Sequence, residues 1–156
     1  MRLARQALLV VVFTVIGVLV NAPPGHAGAS DDRASIEDVK KQTQELLQTL
    51  KAYTADQRDE AVQKTKAALD DLDKRIDALE AQVDADWDKM DSAAREKARA
   101  NLKALREQRT RVAEWYGQLK SSSVDAWQDV KKGFSDAYRA LDEAWEKAEK
   151  DFKSGK

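Results

Sequence analysis

From residue 36 onward, apolar side chains return at alternating intervals of three and four: Ile36, Val39, Thr43, Leu46, Leu50 and Tyr53. Such spacing draws one stripe along a helix, the seam of a coiled-coil-like amphipathic element. The stripe then loses phase. Tyr53 and Val62 stand nine residues apart, which at about 100° per residue puts them on opposite faces of one straight helix. A break near residues 53–56 restores the pattern, with Thr54 and Gln57, or Asp56 and Asp59, as capping pairs for the new start. The second seam runs through Val62, Thr65, Leu69, Leu72, Ile76, Leu79 and Val83 to Met90, where Asp91 and Ser92 offer a cap and a turn is predicted. A third carries Ala98, Leu102, Leu105, Val112, Tyr116 and Leu119, with Arg109 where an apolar residue was due. Gly117 and the three serines at 121–123 end it. Ser35 with Asp38, and Ser122 with Asp125, read as capping pairs that open the first and fourth helices.

The fourth helix follows a different period. Trp127 and Tyr138, Phe134 and Trp145, and Leu141 and Phe152 are each eleven residues apart. An eleven-residue repeat averages ~3.67 residues per turn, so its stripe runs straight or slightly right-handed, whereas the second helix keeps the 3.5 of a left-handed coil. On a helical wheel the stripe is only about 80° wide, and Lys132, Arg139 and Lys150 fall deep in the polar face. Seven of the nine aromatics after residue 29 lie between 115 and 152, namely Trp115, Tyr116, Trp127, Phe134, Tyr138, Trp145 and Phe152. Three uses fit such a stripe: core packing, presentation to a partner, or a lipid surface. Trp87, near the end of the second helix, is placed to meet these rings across a bundle.

The segment before residue 30 is of another kind. Arg2 and Arg5 precede an uncharged apolar run over residues 7–20, followed by Pro23 and Pro24 and the small-residue triplet Ala27, Gly28, Ala29. This is the order of a secretory signal peptide, 1–29, cleaved after Ala29. An uncleaved anchor is the rival, but the run is short of the ~20 residues a spanning helix needs. Export is therefore expected, to the periplasm or beyond the cell. Residues 30–34 form a polar lead-in, 35–152 one helical domain, and 153–156 a tail.

Cleavage removes the sole histidine, His26, and two of the basic residues, leaving 25 basic against 28 acidic side chains, a net charge of −3. That balance points away from nucleic acid and from a membrane held by bulk charge. With no Cys anywhere and no His after 29, thiol chemistry, disulfides, imidazole catalysis and ordinary zinc or copper sites are excluded from the exported chain. Charge is unevenly spread along it. Residues 70–91 hold nine acidic against three basic side chains, and 95–120 hold eight basic against three acidic. Folded back as a hairpin over 56–120, the two helices match negative to positive, which selects pairing more than it stabilises.

Asp84, Asp86 and Asp88 alternate as in a calcium loop, but Lys89 stands where that loop needs Gly and Arg95 where it needs a bidentate Glu. No phosphate-cradling glycine loop and no isolated carboxylate pair stands out. No catalytic residue, metal ligand or cofactor-binding residue is assigned, and no small-molecule substrate is expected.

A proline-free, eleven-residue amphipathic repeat dense in Glu, Lys and Ala resembles the exchangeable apolipoproteins, and also small exported bacterial coiled-coil proteins of apolipoprotein-like helical architecture. The resemblance spans most of the chain after residue 29 and brings with it no catalytic residue. It implies amphipathic helices and, on the apolipoprotein side, lipid- or membrane-surface binding. The narrow stripe and the placement of its flanking lysines and arginine fit helix packing better, because interfacial helices carry such residues at the border of a broad apolar face. The expectation is an all-α, elongated antiparallel bundle of about four helices that acts without catalysis, through a protein partner or self-association, as scaffold, holdase or envelope-stress factor. Trp127, Phe134, Tyr138, Leu141, Trp145 and Phe152 are its candidate core or interaction stripe.

Overall fold

A computed structural model describes residues 36–155, and among these every element is helical. Helix α1 spans Ile36–Ala52, α2 Arg58–Asp86, α3 Ser92–Ser121 and α4 Trp127–Ser154, with 3-10 turns at Ala55–Gln57 and Trp87–Lys89. The expected signal peptide and lead-in, and Ser35 of the first expected capping pair, lie outside the described residues.

Each break has a local cause. After α1 the Tyr53 amide bonds back to the Leu50 carbonyl, and the Gln57 side chain accepts from the Thr54 amide at 3.1 Å, one of the two capping pairs expected there. Asp91 Oδ1 accepts the Ala94 amide at 2.7 Å and starts α3. That turn is closed from the other side by Arg95, whose Nε donates to the Trp87 carbonyl at 2.9 Å.

Two ends differ from expectation. Ser122 and Asp125 form no capping box, since the Ser122 hydroxyl donates to the Leu119 carbonyl and closes α3. Ser123 Oγ accepts the Ala126 amide instead, so α4 begins only at Trp127. At its far end α4 runs two residues past Phe152, and the Gly155 amide bonds to the Asp151 carbonyl, which shortens the tail expected over 153–156.

Neighbouring helices are antiparallel, as their cross-links show. Gln42 of α1 meets Arg75 of α2 at 3.0 Å. Glu80 and Asp73 of α2 pair with Arg106 and Arg109 of α3 at 3.1 and 2.7 Å. Asn101 of α3 donates to Asp151 of α4 at 2.9 Å, and Lys40 of α1 pairs with Glu146 of α4 at 3.1 Å. The acidic and basic helices thus face each other, and Arg109 fills its apolar slot by leaning out to Asp73.

The spine of the bundle, however, is α4 and not the α2–α3 hairpin. Twelve residues of α4 are buried, against three of α1, six of α2 and four of α3. Small residues explain its intimacy with α3. Gly133, Ala137, Ala144, Ala148 and Gly155 recur at intervals of four and seven, and the ends of this row meet Trp115 and Ala94 of α3. Without bulk on that face, the two backbones approach closely. No helix among the described residues is long and apolar enough to cross a membrane.

Candidate functional site

All six residues of the aromatic stripe are buried, with Trp127, Phe134 and Leu141 at 1% exposure or less. The Phe134 and Tyr138 rings lie 5.8 Å apart. The stripe therefore points into the bundle, against α1, α2 and α3. Trp115 lies against Gly133, and Tyr116 stays half-buried with the Lys120 ammonium 5.0 Å from its ring. Trp87 sits at the edge of the core, half-buried beneath the Arg95 and Arg99 guanidiniums at 5.6 and 4.8 Å, and so closes the α2–α3 turn by cation–π contact.

Beside the stripe runs a second row that the wheel of large residues did not reveal. Lys131, Asp142 and Glu149 are all buried, and all fall at about 40–60° when Trp127 is set to 0°. Lys131 and Asp142 repeat the same eleven-residue interval as the aromatic pairs, and that interval was the available signal. Helix α1 lies over this row.

Lys131 holds the end of α1. Its ammonium donates to the Lys51 and Tyr53 carbonyls at 3.0 and 2.7 Å, and Trp127 Nε1 donates to the same Tyr53 carbonyl at 3.0 Å. These carbonyls end a helix and have no partner within it, so a cation here meets both their hydrogen-bonding need and the negative end of the α1 dipole. Burial pushes the Lys131 ammonium below its usual range.

Asp142 sits eleven residues on, beneath Thr43, at 6% exposure. Burial raises its carboxyl above the usual carboxylate range; Thr43 and, more weakly, Lys40 act against the rise, while Glu146 and Glu143 add to it. One oxygen, Oδ1, has no hydrogen-bond partner, and neither has Trp145 Nε1 less than one turn away. The Tyr138 hydroxyl is pushed up to about 12, first by burial and then by Asp142 and Asp71, with Thr43 and Arg75 opposing. Glu146 contrasts with Asp142. Lys150 and Lys40 both bond to it and hold it below the usual range despite partial burial. Glu149 pairs with Lys153 at 3.2 Å.

Two recesses flank these groups. A groove of about 500 Å3 lies between α1 and α4, with Asp142, Thr43 and Leu47 among its walls. A larger, more apolar cavity of about 570 Å3 lies at the bundle end, where Leu79, Val83 and Met90 of α2, Leu102 of α3 and Phe152 of α4 surround it and α1 contributes nothing. Within the acidic stretch 84–91, Asp86 holds Lys89 at 2.9 Å, and Asp91 caps α3. Among known proteins, no family model, no curated protein and no solved structure matches this chain.

Proposed function

We propose that this is an exported, non-enzymatic helical protein, periplasmic where the host has an outer membrane, acting by protein–protein contact as a scaffold, holdase or envelope-stress factor. Its working form in this reading is an elongated antiparallel coiled coil, in which α4 is a straight stave and α2 and α3 supply the supercoil. One observation carries the proposal: the apolar cavity at the bundle end is walled by residues of α2, α3 and α4, with no described residue of α1 in its lining. Val83 and Met90 of α2 and Phe152 of α4 stand around this 570 Å3 cavity. An apolar recess walled by three helices suits the apolar face of another helix, whether from a partner or a second copy.

The test is affinity capture of the protein from periplasmic extract of its own host, with light scattering of the purified protein to read self-association. A protein bound in simple ratio, or a concentration-dependent oligomer, each weakened by Met90→Asp, is the expected result. Recovery of a stoichiometric small metabolite with no protein would overturn the reading.

A further inference from the structure

We propose that the groove between α1 and α4 is a binding site for an organic monocation, a primary ammonium or guanidinium on an aliphatic stem, with Asp142 as its anchor. The site stands apart from the bundle-end cavity and does not depend on the partner reading above. Asp142 lines the groove as a carboxylate 94% removed from solvent whose Oδ1 accepts no hydrogen bond. A buried acceptor in that state destabilises the fold, more so when charged, until a donor arrives. A charged donor makes the stronger bond to it.

The other groups facing the groove define what kind of donor fits. Glu146 is already engaged by Lys40 and Lys150, and Glu143 is exposed on the rim, so Asp142 is the acceptor left open. Lys40 is spent on Glu146, and Arg139 lies 3.5 Å from Asp136. Lys51 lines the far end and repels a second positive charge, which selects a single cation over a polyamine. Half-buried Leu47 gives the stem an apolar wall, and the exposed amide of Gln44 supplies a polar rim. The same chemistry has two sources, a free amine and a lysine or arginine side chain of another protein.

The experiment titrates the full-length protein with n-butylammonium chloride, n-butanol and spermidine, followed by backbone amide NMR. In parallel, two short peptides that differ only by lysine or norleucine at one position are titrated. Saturable shifts at Thr43, Leu47 and Asp142 are expected with butylammonium, at least about tenfold tighter than with butanol. Asp142→Asn should abolish them and Glu143→Gln should leave affinity within about threefold, since an exposed rim charge adds little. Tighter binding of the lysine peptide than of butylammonium assigns the source to a protein side chain, and binding of the free amine alone assigns it to a small molecule; either supports the site. Absence of saturable shifts, equal affinity for butanol, unchanged binding in folded Asp142→Asn, or spermidine binding more tightly than butylammonium would each overturn the proposal. The butanol comparison uses the parent protein, so it decides even if the variant is unstable.

Discussion

Gly133 marks the closest approach of α3 and α4, because a Cβ built there would overlap the six-membered ring of Trp115. Alanine ordinarily gains about 1 kcal/mol over glycine inside a helix. Overpacking against this half-buried ring costs about 1–3 kcal/mol and outweighs it. Gly133→Ala should therefore lower stability in urea denaturation, and adding Trp115→Leu should restore it; a Gly133→Ala protein as stable as the parent would show that the ring moves aside freely. Asp142 yields the second prediction at this scale. Its carboxyl is raised by burial, so the fold favours the protonated form. A penalty at Asp142 is absent below the usual carboxylate range and appears as pH rises through the raised value, since the folded state then holds the extra proton. Glu146 and Asp151, held low first by Lys150 and by Asn101 respectively, act in the opposite sense and lose their contribution as pH falls. Asp142→Asn mimics the protonated group, so it should be more stable than the parent near pH 7 by about 1 kcal/mol, with the difference vanishing in acid. Thermal melts across that range check it, and a difference independent of pH would remove Asp142 titration as the cause.

Among the elements, α1 is held least by apolar burial: only Val39, Thr43 and Leu50 are buried, and its far end hangs on Lys131. Lys131→Met keeps the stem and removes the donor, leaving the Lys51 carbonyl short of a partner at a cost of about 1–3 kcal/mol, while the Tyr53 carbonyl keeps the Trp127 indole N–H. Amide exchange over residues 47–57 should accelerate while α3 and α4 stay protected, and unchanged exchange there would show that apolar contacts alone seat α1. How far these elements were legible depends on what each residue writes into the chain. Seams rich in Leu, Ile and Val gave the first three helices and an eleven-residue aromatic stripe the fourth, while Thr54, Gln57 and Asp91 gave two of the starts, because capping chemistry is local. Ser122 misled because a hydroxyl beside a helix end has two uses, closing the helix behind or opening the one ahead, and the first won. The central place of α4 was hidden because Gly133, Ala137, Ala144 and Ala148 leave no mark in a pattern read from large side chains. Lys131 and Asp142 were missed for the opposite reason: charge at the flank of a stripe reads as solvated surface until a neighbouring helix covers it.

For the whole molecule the open choice is between a bundle that keeps its stripe and one that opens onto lipid. Trp127 and Trp145 are 1% and 4% exposed, so their emission should already be blue-shifted in the lipid-free protein. Opening α4 onto a bilayer would bring more than the rings to the acyl boundary. Lys131, Asp142 and Glu149 flank the stripe on one side, and each charge carried toward hydrocarbon costs up to about 2.5–3.5 kcal/mol at full depth, less near the interface. Inside the bundle the same row meets the end of α1, Thr43 and Lys153. A lipid-facing helix of the apolipoprotein kind would place long basic stems at both borders of a broad apolar face, whereas here two acids and one clamped lysine occupy one border of a narrow one. Anionic vesicles should accordingly leave both the emission maximum and the helix content of the protein unchanged. The opposite outcome has a definite signature: the protein floats with the vesicles, and Trp145→Ala abolishes flotation while preserving helix content. That pair of results would place the stripe on lipid and overturn the view of α4 as a core stave.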